Sequence, residues 1–264
     1  MKRKKLTASM IALVMSVSLP MTTYAANWYL EDGSVTVNAD NSGQTVTQGS
    51  GSAVPDEAPV ITQRESSVET GNTITINAAE NATANVTISD VNINTSDAAV
   101  STSGKGNVNI ELDGTNTLKS GVNHAGLEKN SDGNQGKLTI TDENENGKLI
   151  ATGGSDAAGI GGGYCGDGND ITIAGGKVRQ LPVAADVTMD ELTGIPTYEL
   201  LDTLPPETIT DGEVTAIGGL NGAGIGGGLR NNGEKITVSG DATLKVQGGP
   251  TDAWDGAGAG IGNG

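Results

Sequence analysis

The chain has 264 residues, with 15 Lys or Arg against 32 Asp or Glu and a net charge of −17. It holds 41 Gly, no Phe, one Cys and one His. These counts exclude an aromatic core, a disulfide framework, a zinc site with two or more His ligands, and a basic face for nucleic acid. Leu, Ile and Val number 54, about a fifth of the chain, which borders on composition-driven disorder. A fold made from this sequence must spend its apolar residues sparingly.

Residues 1–25 read as a secretory signal peptide: basic Lys2, Arg3, Lys4 and Lys5, an apolar run from Leu6 to Pro20, then Thr23-Tyr24-Ala25 for the peptidase. The run falls short of the roughly 20 residues that span a bilayer, though a single N-terminal anchor is the alternative. No second apolar run follows. The expected location is therefore secreted, extracellular or cell-surface, with no membrane span in the mature chain and no nucleic-acid partner. Removing the four basic residues leaves 11 cations against 32 acids, a charge of −21.

Residues 26–60 carry strand patterns at Val35-Thr36-Val37 and Thr45-Val46-Thr47, then a loop from Gly49 to Pro59. They read as an N-terminal cap or a first irregular coil. Residues 61–264 are repetitive. Ala158-Gly159-Ile160-Gly161-Gly162-Gly163 recurs at Ala223–Gly228 and, as Ala-Gly-Ile-Gly-Asn-Gly, at Ala259–Gly264, with a weaker copy at Ala125-Gly126-Leu127. Eleven residues after the apolar residue of three copies come Leu138-Thr139-Ile140, Ile171-Thr172-Ile173 and Ile236-Thr237-Val238.

The eleven-residue interval extends through Leu127, Leu138, Leu149, Ile160 and Ile171, and through Val214, Ile225 and Ile236. Val35 and Val46 share it, and Val86-Thr87-Ile88 returns two such intervals later as Val108-Asn109-Ile110. Eleven-residue spacing also marks some coiled coils, but glycine at this density would unwind a helix. The units are short, alternating and β-branched, which fits strands bounded by turns. The fold expected is all-β: a right-handed parallel β-helix, a solenoid with glycine-rich corners and one long loop insertion. The spacing of 33 between Ala125 and Ala158 favours three sides per coil over a two-sided coil of 22. Each coil then buries its Ile or Val against the next, and a thin aliphatic column suffices as a core.

The interval breaks between Ile171 and Val214. The inserted stretch, about 179–211, is acidic, holds Pro182, Pro196, Pro205 and Pro206, and has helix-like pieces at Met189–Leu192 and Tyr198–Leu204. Insertions of this kind leave a solenoid at a corner and often shape its binding face. The last repeat ends at Gly264, which leaves an open coil able to self-associate, to meet a partner, or to continue in a longer product.

Several stretches together resemble a known family: Trp28-Tyr29-Leu30-Glu31-Asp32-Gly33, Glu111 to Leu118, His124-Ala125-Gly126-Leu127, and the Ala-Gly-Ile-Gly-Gly-Gly repeats with their Ile-Thr-Ile partners. The family is that of the carbohydrate-binding parallel β-helix domains of secreted clostridial proteins. The resemblance covers most of the mature chain. It implies an exported right-handed β-helix that binds plant-type or host polysaccharide, with calcium (Ca2+) as a candidate cofactor. It carries over no binding residue position by position.

Two turns are candidates for that calcium. Asp142, Asn144 and Asn146, followed by Gly147, match the first half of a calcium loop. Gly153 stands where its final Glu belongs, so this is not an EF-hand. Asp167, Asn169 and Asp170 resemble one copy of a calcium-binding nonapeptide repeat, with Cys165 and Thr172 departing from it. Turns held by Asp and Asn side chains are the alternative in both cases. Gly161 to Gly166 spells G-x-G-x-x-G, but a strand rather than a helix is expected next, which argues against a dinucleotide site.

Sugar binding favours a flat ring against the apolar face of a pyranose, which makes Trp254, Tyr164 and Trp28 the ligand-binding candidates. No catalytic residue stands out. The mature chain has only Arg64, Arg179 and Arg230 as lyase-type arginines, and none adjoins an evident acidic cluster. The expected function is non-catalytic binding of polysaccharide or cell-surface glycan. A structural or adhesive surface solenoid is the alternative, and a β-helix polysaccharide lyase a more distant one.

Overall fold

The computed structural model describes residues 25–129, 136–175, 188–189, 196–197, 213–239, 243–250 and 257–264. The expected signal peptide, most of the expected insertion and Trp254 lie outside them. Among the described residues the chain is all-β, with one 3-10 turn at Leu30–Asp32 and no α-helix.

The N-terminal part holds β1 (Asn27–Tyr29), β2 (Val35–Asp40), β3 (Gly43–Gln48), β4 (Val54–Pro55), β5 (Val60–Thr62) and β6 (Ile74–Ala78). Next come β7 (Thr83–Ser89), β8 (Asn92–Asn94), β9 (Val100–Ser103), β10 (Asn107–Asp113), β11 (Thr115–Lys119) and β12 (Leu127–Lys129). The eleven-residue region supplies β13 (Leu138–Asp142), β14 (Lys148–Thr152), β15 (Ile160–Gly161) and β16 (Ile171–Gly175). A short antiparallel pair, β17 (Thr188–Met189) and β18 (Pro196–Thr197), lies in the insertion. The chain finishes with β19 (Glu213–Ile217), β20 (Ile225–Gly226), β21 (Thr237–Ser239), β22 (Thr243–Gln247) and β23 (Ile261–Gly262).

These strands form three long sheets. The first runs β1-β5-β7-β10-β13-β16-β21, the second β22-β19-β14-β11-β8, and the third β23-β20-β15-β12-β9-β6-β2-β3-β4. From β7 onward the chain visits first, second and third sheet in that order, circuit after circuit, interrupted only by β17 and β18. Every pairing between circuits is parallel. The hairpin β2–β3 and the pair β3–β4 are antiparallel and close one edge of the third sheet.

The eleven-residue ladder is one step from sheet to sheet. Leu127 lies on the third sheet, Leu138 on the first, Leu149 on the second, Ile160 on the third and Ile171 on the first. All five are fully buried in one apolar cluster. Leu127 pairs with Ile160 and Leu138 with Ile171, so a full circuit there takes three eleven-residue steps and the two-sided coil is excluded. Ile236 stands one residue before β21 and packs, partly exposed, on the same cluster. Burying a Leu or Ile side chain contributes about 1.5–3 kcal/mol. The cluster is a column of such residues, so a modest aliphatic content is enough.

Two sequence intervals have a different origin, and one expected element differs. Val35 and Val46 are both buried, but on the two antiparallel strands of one hairpin, where Val37 faces Val46. Their spacing reflects turn length, not a step between sheets. Val108 sits beside Ala84, and Ile110 beside Val86, so that circuit is slightly longer than two eleven-residue steps and Val108 does not stack on Val86. Met189, expected to open a helical piece, lies on β17 against Pro196.

The repeated Gly161, Gly226 and Gly262 explain the glycine-rich corners. Their φ values are +130°, +135° and +122°, a region side chains avoid. The three glycines are stacked in register on β15, β20 and β23. A Cβ on Gly161 would sit 2.1 Å from the carbonyl oxygen of Gly226, and one on Gly226 would sit 1.9 Å from that of Gly262. Conformation and close approach thus require glycine at the same position.

Candidate functional site

Inward polar side chains help to close the corners between sheets. Asn116 is fully buried between the first and second sheets; its Nδ2 donates to the carbonyls of Asp113 and Lys148, at 3.0 and 3.2 Å. Ser120, between the second and third, accepts from Ala99 N and donates to Ala125 O, both at 2.8 Å. Lys129, between the third and first, is inward because it is in phase with Leu127. Its Nζ donates to Asn169 O at 2.6 Å, and burial pulls its ammonium below the usual lysine range. The alternation Leu127-Glu128-Lys129 could have revealed this lysine, since it occupies an apolar phase.

The same third-to-first corner carries a cleft of about 360 Å³. Two stacked loops form it: Ala79–Ala82, between β6 and β7, and Gly104–Gly106, between β9 and β10. The upper loop lies directly on the lower one. Gly106 N donates to Ala78 O at 2.9 Å, and Asn107 N to Ala82 O at 3.0 Å. A Cβ on Gly106 would come within 2.2 Å of Ala79 O, so glycine sets the depth of the contact. Glu80 and Lys105 face each other there, Oε2 to Nζ at 3.9 Å, both well exposed. Asn81, Thr83 and Asn107 complete a polar lining. Neither Glu80 nor Lys105 belongs to a sequence motif, so this pairing was not readable before the loops were stacked.

The candidates read from sequence are dispersed. Trp28 faces inward on β1 beside Ile61, packs against the end of the core, and donates from Nε1 to Asp56 Oδ2 at 2.8 Å. Its neighbour Tyr29 instead carries the Arg64 guanidinium over its ring at 4.1 Å. Tyr164 is 53% exposed, and its phenol is held above the usual range by hydrogen bonding to the exposed Cys165. Trp254 lies outside the described residues.

The calcium candidates do not converge. Asp142 points into the core beside Gly175, at 4% exposure, whereas Asn144 and Asn146 are exposed. Asp142 Oδ1 accepts from Asn146 N and Gly147 N, both at 3.1 Å, while Oδ2 is buried without a partner. Burial raises this carboxyl above the ordinary range, against the pull of the two amides.

Asp167 Oδ1 accepts from Asn232 N at 2.9 Å and Asn169 Oδ1 from Glu234 N at 2.6 Å, while Asp170 Oδ2 pairs with Lys235 at 3.5 Å. These three side chains stitch one circuit to the next. Among the described residues no three His, Cys, Asp or Glu side chains gather around a common point. The side-chain oxygens of the second turn are thus engaged by the next circuit, and those of the first turn are split between core and surface.

His124, the single histidine, sits at the corner before β12, with Nδ1 3.1 Å from Glu128 Oε2. Glu128 also accepts from Ala125 N at 3.0 Å. Gly161–Gly166 leads into strand β16, which is no setting for a dinucleotide pyrophosphate. No helix among the described residues is long and apolar enough to cross a membrane. Comparison with family models, curated proteins and solved structures found no match.

Proposed function

We propose that the chain is an exported, non-catalytic polysaccharide-binding protein built as a right-handed parallel β-helix. The regular circuit through three parallel sheets supports the solenoid, and right-handed crossovers are the strong rule for parallel strands. The basic and apolar N-terminus supports export. The resemblance to secreted clostridial carbohydrate-binding domains supports the ligand class.

One observation carries the binding reading: the outward faces are ordered rows of amide and hydroxyl side chains. Asn109 Nδ2 donates to Asn85 Oδ1 at 2.9 Å, and Asn77 Nδ2 to Asn38 Oδ1 at 2.9 Å, each across adjacent circuits. Ser101 and Thr75 continue the pattern at 3.5 Å. Strand spacing repeats these rows about every 4.8 Å. Such rows offer donors and acceptors at fixed intervals, which suits an extended hydroxyl-rich polymer.

The test is retention of the mature chain on immobilised polysaccharides, with calcium and again with chelator, while released sugar and unsaturated product are assayed. Retention without product is expected. Retention on no polysaccharide in either condition overturns the reading and leaves a structural or adhesive surface solenoid. Product formation moves the chain to the lyases.

A further inference from the structure

Resting on that reading, we infer that the cleft between the loops Ala79–Ala82 and Gly104–Gly106 is the saccharide subsite, and that its ligand class is a neutral sugar. The volume of about 360 Å³ lies at the low end of the roughly 300–1,000 Å³ range of small-ligand sites. Such sites are ordinarily apolar, and this one is lined by a carboxylate, an ammonium, two amides and a hydroxyl. A ligand that gains from it must be dense in hydroxyl groups.

The chemistry of the pair sets the class. Glu80 and Lys105 are 3.9 Å apart, too far for a direct hydrogen bond, so each keeps donors or acceptors for a third group. A carboxylate accepts from two vicinal hydroxyls at once, and an ammonium donates to a hydroxyl or ring oxygen. The two charges cancel. A uronate gains Lys105 but meets Glu80 and a strongly acidic molecule, and an amino sugar gains Glu80 but meets Lys105. A neutral saccharide meets neither repulsion.

The cleft is also fixed in advance. Its loops are joined by backbone hydrogen bonds and by the glycine contact at Gly106, while Glu80, Asn81, Lys105 and Asn107 stand on the rim, exposed. Binding then has the exposed Glu80 and Lys105 side chains to order, but not the backbone.

The experiment uses the full mature chain, wild type and with Glu80→Ala or Lys105→Ala, in affinity electrophoresis through gels containing soluble β-glucan, galactomannan, arabinoxylan or polygalacturonate. Both side chains are exposed, and circular dichroism melts establish that the variants fold as wild type does. The expected result is retardation of wild type by at least one neutral polymer, with affinity about tenfold or more weaker in each variant. Retardation of wild type and variants alike by a neutral polymer overturns the subsite while leaving the binding reading intact. Retardation by polygalacturonate alone overturns the neutral class. Retardation by no polymer overturns the binding reading, and the subsite with it.

Discussion

Gly161→Ala is the sharpest perturbation of the stack. Gly161 has φ +130°, and a Cβ there would sit 2.1 Å from the carbonyl oxygen of Gly226, about 1 Å inside contact. The obstacle is backbone on the neighbouring circuit, so no rotamer relieves it. A side chain held in this φ region costs about 1–3 kcal/mol. Moving β15 away from β20 also stretches the bond from Gly162 N to Gly226 O, now 2.8 Å, worth about 1 kcal/mol. The expected loss is therefore about 2–4 kcal/mol.

Gly71→Ala is the control, because its Cβ would meet nothing within 4 Å and its φ is not positive. It should be neutral or stabilising by up to about 1 kcal/mol, through the unfolded chain. Urea unfolding followed by far-ultraviolet circular dichroism compares the two midpoints. A Gly161→Ala midpoint equal to that of Gly71→Ala would refute the account of the glycine corners.

Three further outcomes follow from buried groups. Leu138→Ala, in the fully buried ladder, should lose about 2–5 kcal/mol, while Thr139→Ala on the outward face should change stability by less than about 0.5 kcal/mol; equal effects in urea unfolding would contradict the inward phase of β13. Burial raises the Asp142 carboxyl above its ordinary 3.8, so its stabilising contribution is full below that pH and is lost as pH rises through the folded value; Asp142→Asn should flatten this part of a melting-temperature profile, and an unchanged slope counts against it. Glu213 and Lys245 pair at 3.4 Å with side chains 6% and 4% exposed, so Lys245→Ala should cost about 3–5 kcal/mol and be insensitive to salt, whereas a loss below about 1 kcal/mol would show that solvent screens the pair.

The fold was legible where circuits were regular. Between Leu127 and Ile171 each side takes eleven residues, so a period in the sequence is a period in space. Before Leu127 the circuits change length, short where Thr83 pairs with Asn107 and long where Val35 pairs with Ile74, and no fixed interval survives. There the alternation within each strand still marks the buried residues, as in Ile74 and Ile76 or Val86 and Ile88. The hairpin of β2 and β3 shows the limit of spacing as a signal. Val35 and Val46 satisfy the eleven-residue rule, yet turn geometry, not stacking, sets their distance.

The candidate site was far less legible, for a physical reason. Stacked circuits bring together residues one circuit apart, and the circuit length varies locally. Glu80 and Lys105 meet because the circuit at that corner is short, so no motif of fixed spacing could pair them. The acidic turns mislead in the opposite direction. Asp167, Asn169 and Asp170 have the residue types of a cation loop, but a stack must also satisfy the amides of the next circuit's corner. In this chain those amides and Lys235 take the oxygens first. Lys235 pairs with Asp170 as Lys105 pairs with Glu80, while Lys129 and Lys137 flank the same corner. Of the chain's 15 cations, Lys105, Lys137 and Lys235 thus stand exposed along one edge, with Lys129 buried beneath them. On the proposed reading, that row of cations, more than any aromatic platform, is what would offer an uncharged, hydroxyl-rich ligand balanced charge rather than an acidic field.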